Sequence, residues 1–515
     1  MSEVAIQATR PARRGFLDNV FWGWFGVSVN LAIGILLMPI IIRKLGVQQY
    51  GLWVLLFSLI DYVRVLDFGF RAAVVNGCAR FRARADWAGV NRVMATAVAY
   101  FAAIGLTCAL SAVIIREPLI GTLDIPAAQH AQAAMLVVLI AVAVAIRLMM
   151  SPLTGMLEAF ERFDLVNRGY IGAVLFRSTA SLVLLFMGYG LLEMAWAVLL
   201  AQVGEAVYAW RKVLAVLPQL RLSPRLIRRE TLSGLFRYGR YSAVIAAANL
   251  VTINAPLTLL GSLRTAAEVA YFALPFRLLM YSAEGLAKVS DVTSSVTAGF
   301  DERGEKHRVW TLAVLTNRHC FALFMPLAIF LVVFGTPLLR LWVNPDVAEH
   351  SGRLLPVITL GFLFAISGQY NAGAVLIGQG KHAVYAYGAL VEAVATIGLL
   401  FAFVPSFGTT GAAWVVTAAL LGGRGAYLAV ALCRQNGFPL GRYLAAVYGP
   451  GLATAVPVAA VAFALRNVWP GRTWPELLLA GAVIGGLFFG IAFFSVLGTE
   501  HRYRVLRRWS PAALR

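Results

Sequence analysis

Apolar runs of roughly 20 residues, separated by short polar breaks, fill almost the whole chain. About fourteen such runs can be marked, from 20–42 at one end to 477–498 at the other. The breaks rarely exceed about 15 to 30 residues, a length suited to loops of a helical bundle. This pattern predicts an all-α polytopic membrane protein. It also repeats. "GLLEMAW" (190–196) and "GTTGAAW" (408–414) share a glycine and an Ala-Trp pair, and "LG" recurs at 45–46 and 260–261. Tyr50 and Tyr271 open the runs that follow those LG pairs, and Tyr208 and Tyr427 follow the Ala-Trp pairs. All these matches lie at a shift of about 215 to 221 residues, which predicts a duplicated unit. The expected organisation is a tail (1–19), an N-lobe of six spans (20–212), a basic linker (213–237), a C-lobe of six spans (238–435), two extra spans (436–498) and a basic tail (499–515). Six is even, so both lobes cross in the same sense and are related by an axis along the membrane normal.

Two runs break the apolar rule. "SLIDYVRVLDFGFR" (58–71) carries Asp61, Arg64, Asp67 and Arg71. At about 100° per residue the four charges share roughly a third of a helix circumference, and spacings of three or four let each acid reach a base. The repeat mate of this run carries Arg277, Glu284, Lys288 and Asp291 within an arc of about 60°, with Tyr281 beside them. A charge at mid-bilayer costs about 2.5–3.5 kcal/mol, so such groups face a partner, the bundle interior or water. Paired charges that lock helices together would satisfy that rule for either run alone. Two matching stripes at the seam of a repeat favour a central polar cavity. Other runs add Arg147, Arg177, Arg318 and Arg424, and the acids Glu193, Glu205 and Glu392. His319, beside Arg318, reads as structural in preference to a proton relay.

Composition narrows the function classes. The chain has 515 residues, 60% hydrophobic and 13% charged, which excludes an ordinary soluble domain. Its net charge of +20 does not imply nucleic acid. With the N-terminus placed inside, about 28 of the 44 lysines and arginines fall on inner segments and about 8 on outer loops, as positive-inside orientation requires. Both termini are then cytoplasmic. The basic stretch 211–240 reads first as an inner loop joining two halves, and second as a site for anionic lipid headgroups. Cys78, Cys108, Cys320 and Cys433 are scattered and form neither a disulfide framework nor a zinc motif. No phosphate-binding GxxxxGK[ST] motif and no HExxH occur, so no cofactor or metal is expected. A secondary transporter fits better than a pump or an enzyme.

The segment "LGVQQYGLWVLLFSLIDYVRVLDFGFRAAVVNGCARF" (45–81) resembles the N-terminal signature of bacterial polysaccharide-biosynthesis exporters, the Wzx-type lipid-linked oligosaccharide flippases of the MOP superfamily. The similar pieces are "LG..QYGLW" and "LDFGFRAAVV". The resemblance implies two lobes that alternate access to a central cavity in the bacterial inner (plasma) membrane. Its implied cargo is an undecaprenyl-pyrophosphate-linked oligosaccharide, moved to the outer leaflet for O-antigen, capsule or exopolysaccharide assembly. It makes Arg64, Arg71, Arg277 and Lys288, with Arg147 and Arg318, candidate headgroup contacts. Asp61, Asp67, Glu284 and Asp291 become charge partners or coupling groups for H+ or Na+. Tyr62, Tyr281 and Tyr370 become candidates for stacking on sugars. Membrane lipids and polysaccharide polymerase or assembly proteins are the implied partners. A lipid II flippase and a multidrug or cation antiporter share the fold and remain alternatives. A membrane polymerase or ligase would need a long outer loop that the sequence lacks.

Overall fold

The computed structural model describes residues 13–62, 70–121 and 130–496. All regular structure among them is helical. Among the described residues, ten helical stretches are long and apolar enough to cross a membrane, so the chain is a multi-pass membrane protein. The expectation of about fourteen spans is met only in part. The charges account for one shortfall: α9 (Ala266–Glu302) is 37 residues long but carries Arg277, Glu284, Lys288 and Asp291. The 51–79 run is another. It contains α2 (Val47–Asp61) and α3 (Phe70–Ala83), each shorter than a span, with residues 63–69 outside the described set.

The chain forms two compact units, one of residues 1–45 and 56–247, the other of 46–55 and 248–515. In the first, α4 (Trp87–Gly121), α5 (His130–Ala159), α6 (Phe163–Phe186) and α7 (Leu191–Val216) are all of membrane length. The core at one end joins Val74 of α3, Met94 of α4, Met156 and Leu157 of α5 and Val213 of α7. α4 and α5 pack where Gly105 lies against Met149 and the Ala145 backbone. Lipid supplies no hydrophobic drive between helices, so such small-residue contacts are what let them pack. The segment after α7 is held down as well. The Arg221 amide donates to Asn91 Oδ1 (3.1 Å), and Leu232 and Leu235 of α8 (Arg229–Leu263) pack with Phe70 and Phe101.

The second unit is built around α10 (Lys306–Trp342), with α9, α13 (Gly368–Gly378) and α16 (Leu440–Val468) around it. Short α11 (Pro345–Gly352) and α12 (Leu354–Gly361) lead into a π-helical turn, Phe362–Ser367. α14 (His382–Leu420) is two helices joined at Gly408, whose φ of +53° suits glycine. A second π-helical turn, Leu421–Tyr427, precedes α15 (Leu428–Asn436), and α17 (Trp474–Ser495) is the last helix described.

A largely buried, uncharged network ties α16 into this unit. Tyr443 Oη donates to Gln369 Oε1 (3.0 Å) and accepts from Asn317 Nδ2 (2.9 Å). Gln369 Nε2 donates to Tyr448 Oη (3.0 Å), which donates to the Phe364 carbonyl (2.8 Å). Asn317 Oδ1 accepts from the Asn371 amide (3.1 Å), and Asn371 Oδ1 accepts from Ser290 (3.0 Å) and Thr293 (3.1 Å) of α9. Tyr443→Phe strands the Asn317 donor and the Gln369 acceptor away from water. It is expected to cost about 1–3 kcal/mol. Thermal unfolding of the detergent-solubilised protein measures this, and an unchanged midpoint would show the network to be idle.

One contact recurs in both units. The Tyr208 ring of α7 lies on Gly169 of α6, and the Tyr427 ring lies on Gly388 of α14. Both tyrosines and both glycines are 219 positions apart. A Cβ on either glycine would run into the ring.

Candidate functional site: charged groups inside the helical bundles

In the first unit the charges converge from four helices. Arg71 of α3 donates to Glu158 of α5 in a short ion pair, with side chains 40% and 19% exposed. Glu205 of α7 is half-buried and accepts from Gln202 Nε2 (3.2 Å). Arg147 of α5, Arg177 of α6 and Arg71 all lie within electrostatic reach of Glu205. Three arginines therefore surround two glutamates, and the cluster carries an excess of positive charge. Charge-assisted pairing holds the guanidinium groups in place without using up every donor.

In the second unit the arrangement is tighter. Glu392 of α14 is 3% exposed and accepts from Arg424 Nε (3.2 Å). Arg424 Nη2 also donates to Asn249 Oδ1 of α8 (2.7 Å). The Thr252 hydroxyl faces the Glu392 carboxylate. Arg424 stands on the π-helical turn "LGGRGAY", and the glycines explain the approach, because a Cβ on Gly423 would overlap Glu392. π-helical turns insert one residue into a helix and often sit at functional sites. Beside this pair is a cavity of about 180 Å³ lined by Asn249, Thr252, Glu284, Tyr370 and Arg424 over apolar walls from Phe276 and Phe362.

The sequence-derived candidates fall in several places. Glu284 and Tyr370 share the second unit's cavity. Arg277 and Tyr281 lie on α9 within electrostatic reach of buried Tyr50. Arg71 and Arg147 join the first unit's cluster. Arg318 stands apart from both, donating through Nε to the Ala446 carbonyl of α16 (2.6 Å). Asp61 closes α2 and half-buried Tyr62 follows it. Arg64 and Asp67 lie outside the described residues, as do the side chains of Asp61, Lys288 and Asp291.

Sequence reasoning did not pair Glu158 with Arg71, or Glu392 with Arg424, because each partner comes from a different helix. One signal was present. A shift of 219 carries Glu205 onto Arg424, and a shift of 215 carries Arg177 onto Glu392. Each unit thus holds an acid and an arginine at positions related by about the same shift, with the order of the charges exchanged.

Membrane-length helices gathered into two units with charged groups inside them make the fold of the MOP-superfamily transporters. A structure of the lipid II flippase MurJ in an inward closed conformation matches with a TM-score of 0.72 and 14% identity, covering 95% of this chain and 99% of that one. An inward-facing multidrug resistance MATE family transporter matches with a TM-score of 0.65 and 16% identity, covering 81% and 98%. A putative O-antigen transporter from Shigella flexneri is 20% identical over 404 residues, 77% of this chain and 93% of that protein. Residues 16–290, just over half of the chain, match the family described as polysaccharide biosynthesis protein, and the chain belongs to that family.

Proposed function

We propose that the protein is a secondary-type flippase that moves a polyprenyl-pyrophosphate-linked oligosaccharide from the inner to the outer leaflet for surface polysaccharide assembly. Fourteen spans in two six-helix lobes plus two (20–212, 238–435, 436–498), with alternating access, belong to the same reading. The observation that carries it is the arginine cluster of the first unit, in a chain of a polysaccharide biosynthesis family. A pyrophosphate needs fixed cationic donors, and guanidinium groups meet phosphate oxygens two at a time. The sugar head cannot cross hydrocarbon and the prenyl tail need not leave it, so a charged wall within a helical bundle suits this cargo. Arg71, Arg147 and Arg177 hold the headgroup. Glu158 and Glu205 hold those arginines while the site is empty. Arg64, Arg277 and Lys288 extend the cationic path, with Asp61, Asp67, Glu284 and Asp291 as charge partners or groups that couple H+ or Na+. Arg318 is a helix anchor, given its bond to α16.

A second reading keeps the mechanism and changes the cargo to lipid II. The fold likeness to the lipid II flippase over 95% of the chain favours it. A drug or cation antiporter is the third, supported by the likeness to MATE-family structures.

The test is a deletion strain complemented with wild-type protein or with Arg71→Glu, Arg147→Glu or Arg177→Glu. The deletion is expected to trap a lipid-linked oligosaccharide in the inner leaflet, and each reversal to slow outward movement at least about tenfold, with the protein still inserted. Trapped lipid II instead supports the second reading. Raised drug sensitivity with normal surface glycan supports the third. Full export by all three reversed variants overturns the role of the cluster.

A further inference from the structure

Along α3, Arg71 and Arg82 are committed to partners within the protein. Arg71 pairs with Glu158, and Arg82 donates to the Ala159 carbonyl (2.9 Å) and pairs with Glu161 (3.5 Å). Arg80 is different. It is exposed, and among the described residues it has neither an ion-pair nor a hydrogen-bond partner. It lines a cavity of about 410 Å³. Two helices form its long walls with stripes at three- and four-residue spacing: Ala73, Asn76, Gly77, Arg80 and Phe81 from α3, and Thr231, Gly234 and Leu235 from α8. Val93 of α4 closes it.

Asn76 and Thr231 also face this cavity, half-buried, with no hydrogen-bond partner among the described residues. An exposed guanidinium and a half-buried amide and hydroxyl thus open onto one space, each with donors unspent. An amide and a hydroxyl partly withdrawn from water gain by meeting a ligand oxygen, and the exposed cation beside them attracts an anion. Arginine and amide donors in a fork suit a phosphate group. The other walls, Ala73, Phe81, Val93 and Leu235, are apolar and suit a hydrocarbon chain. The flanking charge agrees. Arg84 follows the end of α3, and Arg228, whose amide donates to Thr96 of α4 (3.4 Å), precedes α8. Glu230 is the one acid in that stretch.

We infer that the space between α3 and the start of α8 is a binding site for a phosphate-bearing lipid, with Arg80, Asn76 and Thr231 on the phosphate and the apolar walls on its chain. It is separate from the Arg71 cluster and does not depend on which cargo that cluster carries. A glycerophospholipid of the bilayer and a prenyl phosphate present the same chemistry, and the test separates them.

Two walls can be altered independently. Arg80→Gln removes the charge and keeps the length. Gly234→Phe fills the cavity, since a Cβ at Gly234 meets nothing within 4 Å. The full chain, purified in neutral detergent, is titrated with dihexanoyl phosphatidylglycerol, dihexanoyl phosphatidylcholine and geranyl pyrophosphate, and binding is read from thermal stabilisation. One of the two anionic lipids is expected to bind at least about tenfold tighter than phosphatidylcholine. Arg80→Gln should weaken that binding about tenfold, Arg80→Lys less, and Gly234→Phe should abolish it without lowering the ligand-free unfolding temperature. Tighter binding of phosphatidylglycerol assigns the site to bilayer lipid, and tighter binding of geranyl pyrophosphate assigns it to a prenyl phosphate. Equal binding of neutral and anionic lipid overturns the inference. So does binding that survives both Arg80→Gln and Gly234→Phe.

Discussion

Replacing Arg424 with methionine is expected to destabilise the second unit by about 3–5 kcal/mol, because it leaves a buried carboxylate without its cation. Glu392 is 3% exposed and Arg424 13%, so water cannot take the place of the missing guanidinium. The loss should appear as a lower unfolding temperature in detergent and as reduced accumulation in the membrane. Removing both charges is a different experiment. Glu392→Met with Arg424→Met replaces the pair by side chains of similar bulk, and the desolvation of two ions disappears along with their attraction. That double variant should recover most of the lost stability, or exceed the wild type. Asn249 gives a third reading, since it accepts from Arg424 Nη2 and would lose that donor in either variant. If Arg424→Met and the double variant unfold at the same temperature as wild type, the pair contributes nothing and the account of this site fails.

The second large effect is steric. A Cβ on Gly51 would overlap the carbonyl oxygen of Ala266, at the first turn of α9, in the same unit. A side-chain atom could rotate away from such an intrusion, but a backbone oxygen inside a hydrogen-bonded helix cannot. Gly51→Val should therefore force α2 and α9 apart and cost about 3 kcal/mol or more. Even Gly51→Ala should be damaging. Gly172→Ala on α6 is the control, because a Cβ there meets nothing within 4 Å and alanine is the better helix former. Membrane yield and unfolding temperature of the three variants decide the matter. Wild-type values for Gly51→Ala would mean that the two helices do not approach this closely.

The class of fold was legible in the run lengths, because a membrane-spanning helix must be long and apolar whatever else it does. One of the spaced matches acquires a physical reason in the structure. Tyr208 and Tyr427 match because each ring needs a glycine from the neighbouring helix, Gly169 and Gly388. Helical phase placed Arg71 on a charged face, but could not point to Glu158, a partner on another helix. Glu158 lies 87 residues away, and periodicity along one helix carries no information about such a pair. The same holds for Glu392 and Arg424, which looked like isolated charges. Arg318, a cation within an apolar run, suggested a ligand contact, and in the structure its Nε donates to a backbone carbonyl of α16. Arg80 carried no signal in the sequence, because only the fold sets a cavity beside it.

The network around Tyr443 has a consequence for how this protein can be cut and recombined. Its members are spread over α9, α10, α13 and α16, and each is the other half of a hydrogen bond made elsewhere. The helix α16 is therefore no detachable appendage. A chain shortened before Leu440 exposes Asn317 and Gln369 to lipid tails that offer them nothing. A chimera that borrows its C-terminal helices from a relative will assemble only if the graft brings hydroxyls able to complete the same circuit. Grafting borders that respect the network lie on the N-terminal side of α9, not in the loop before α16.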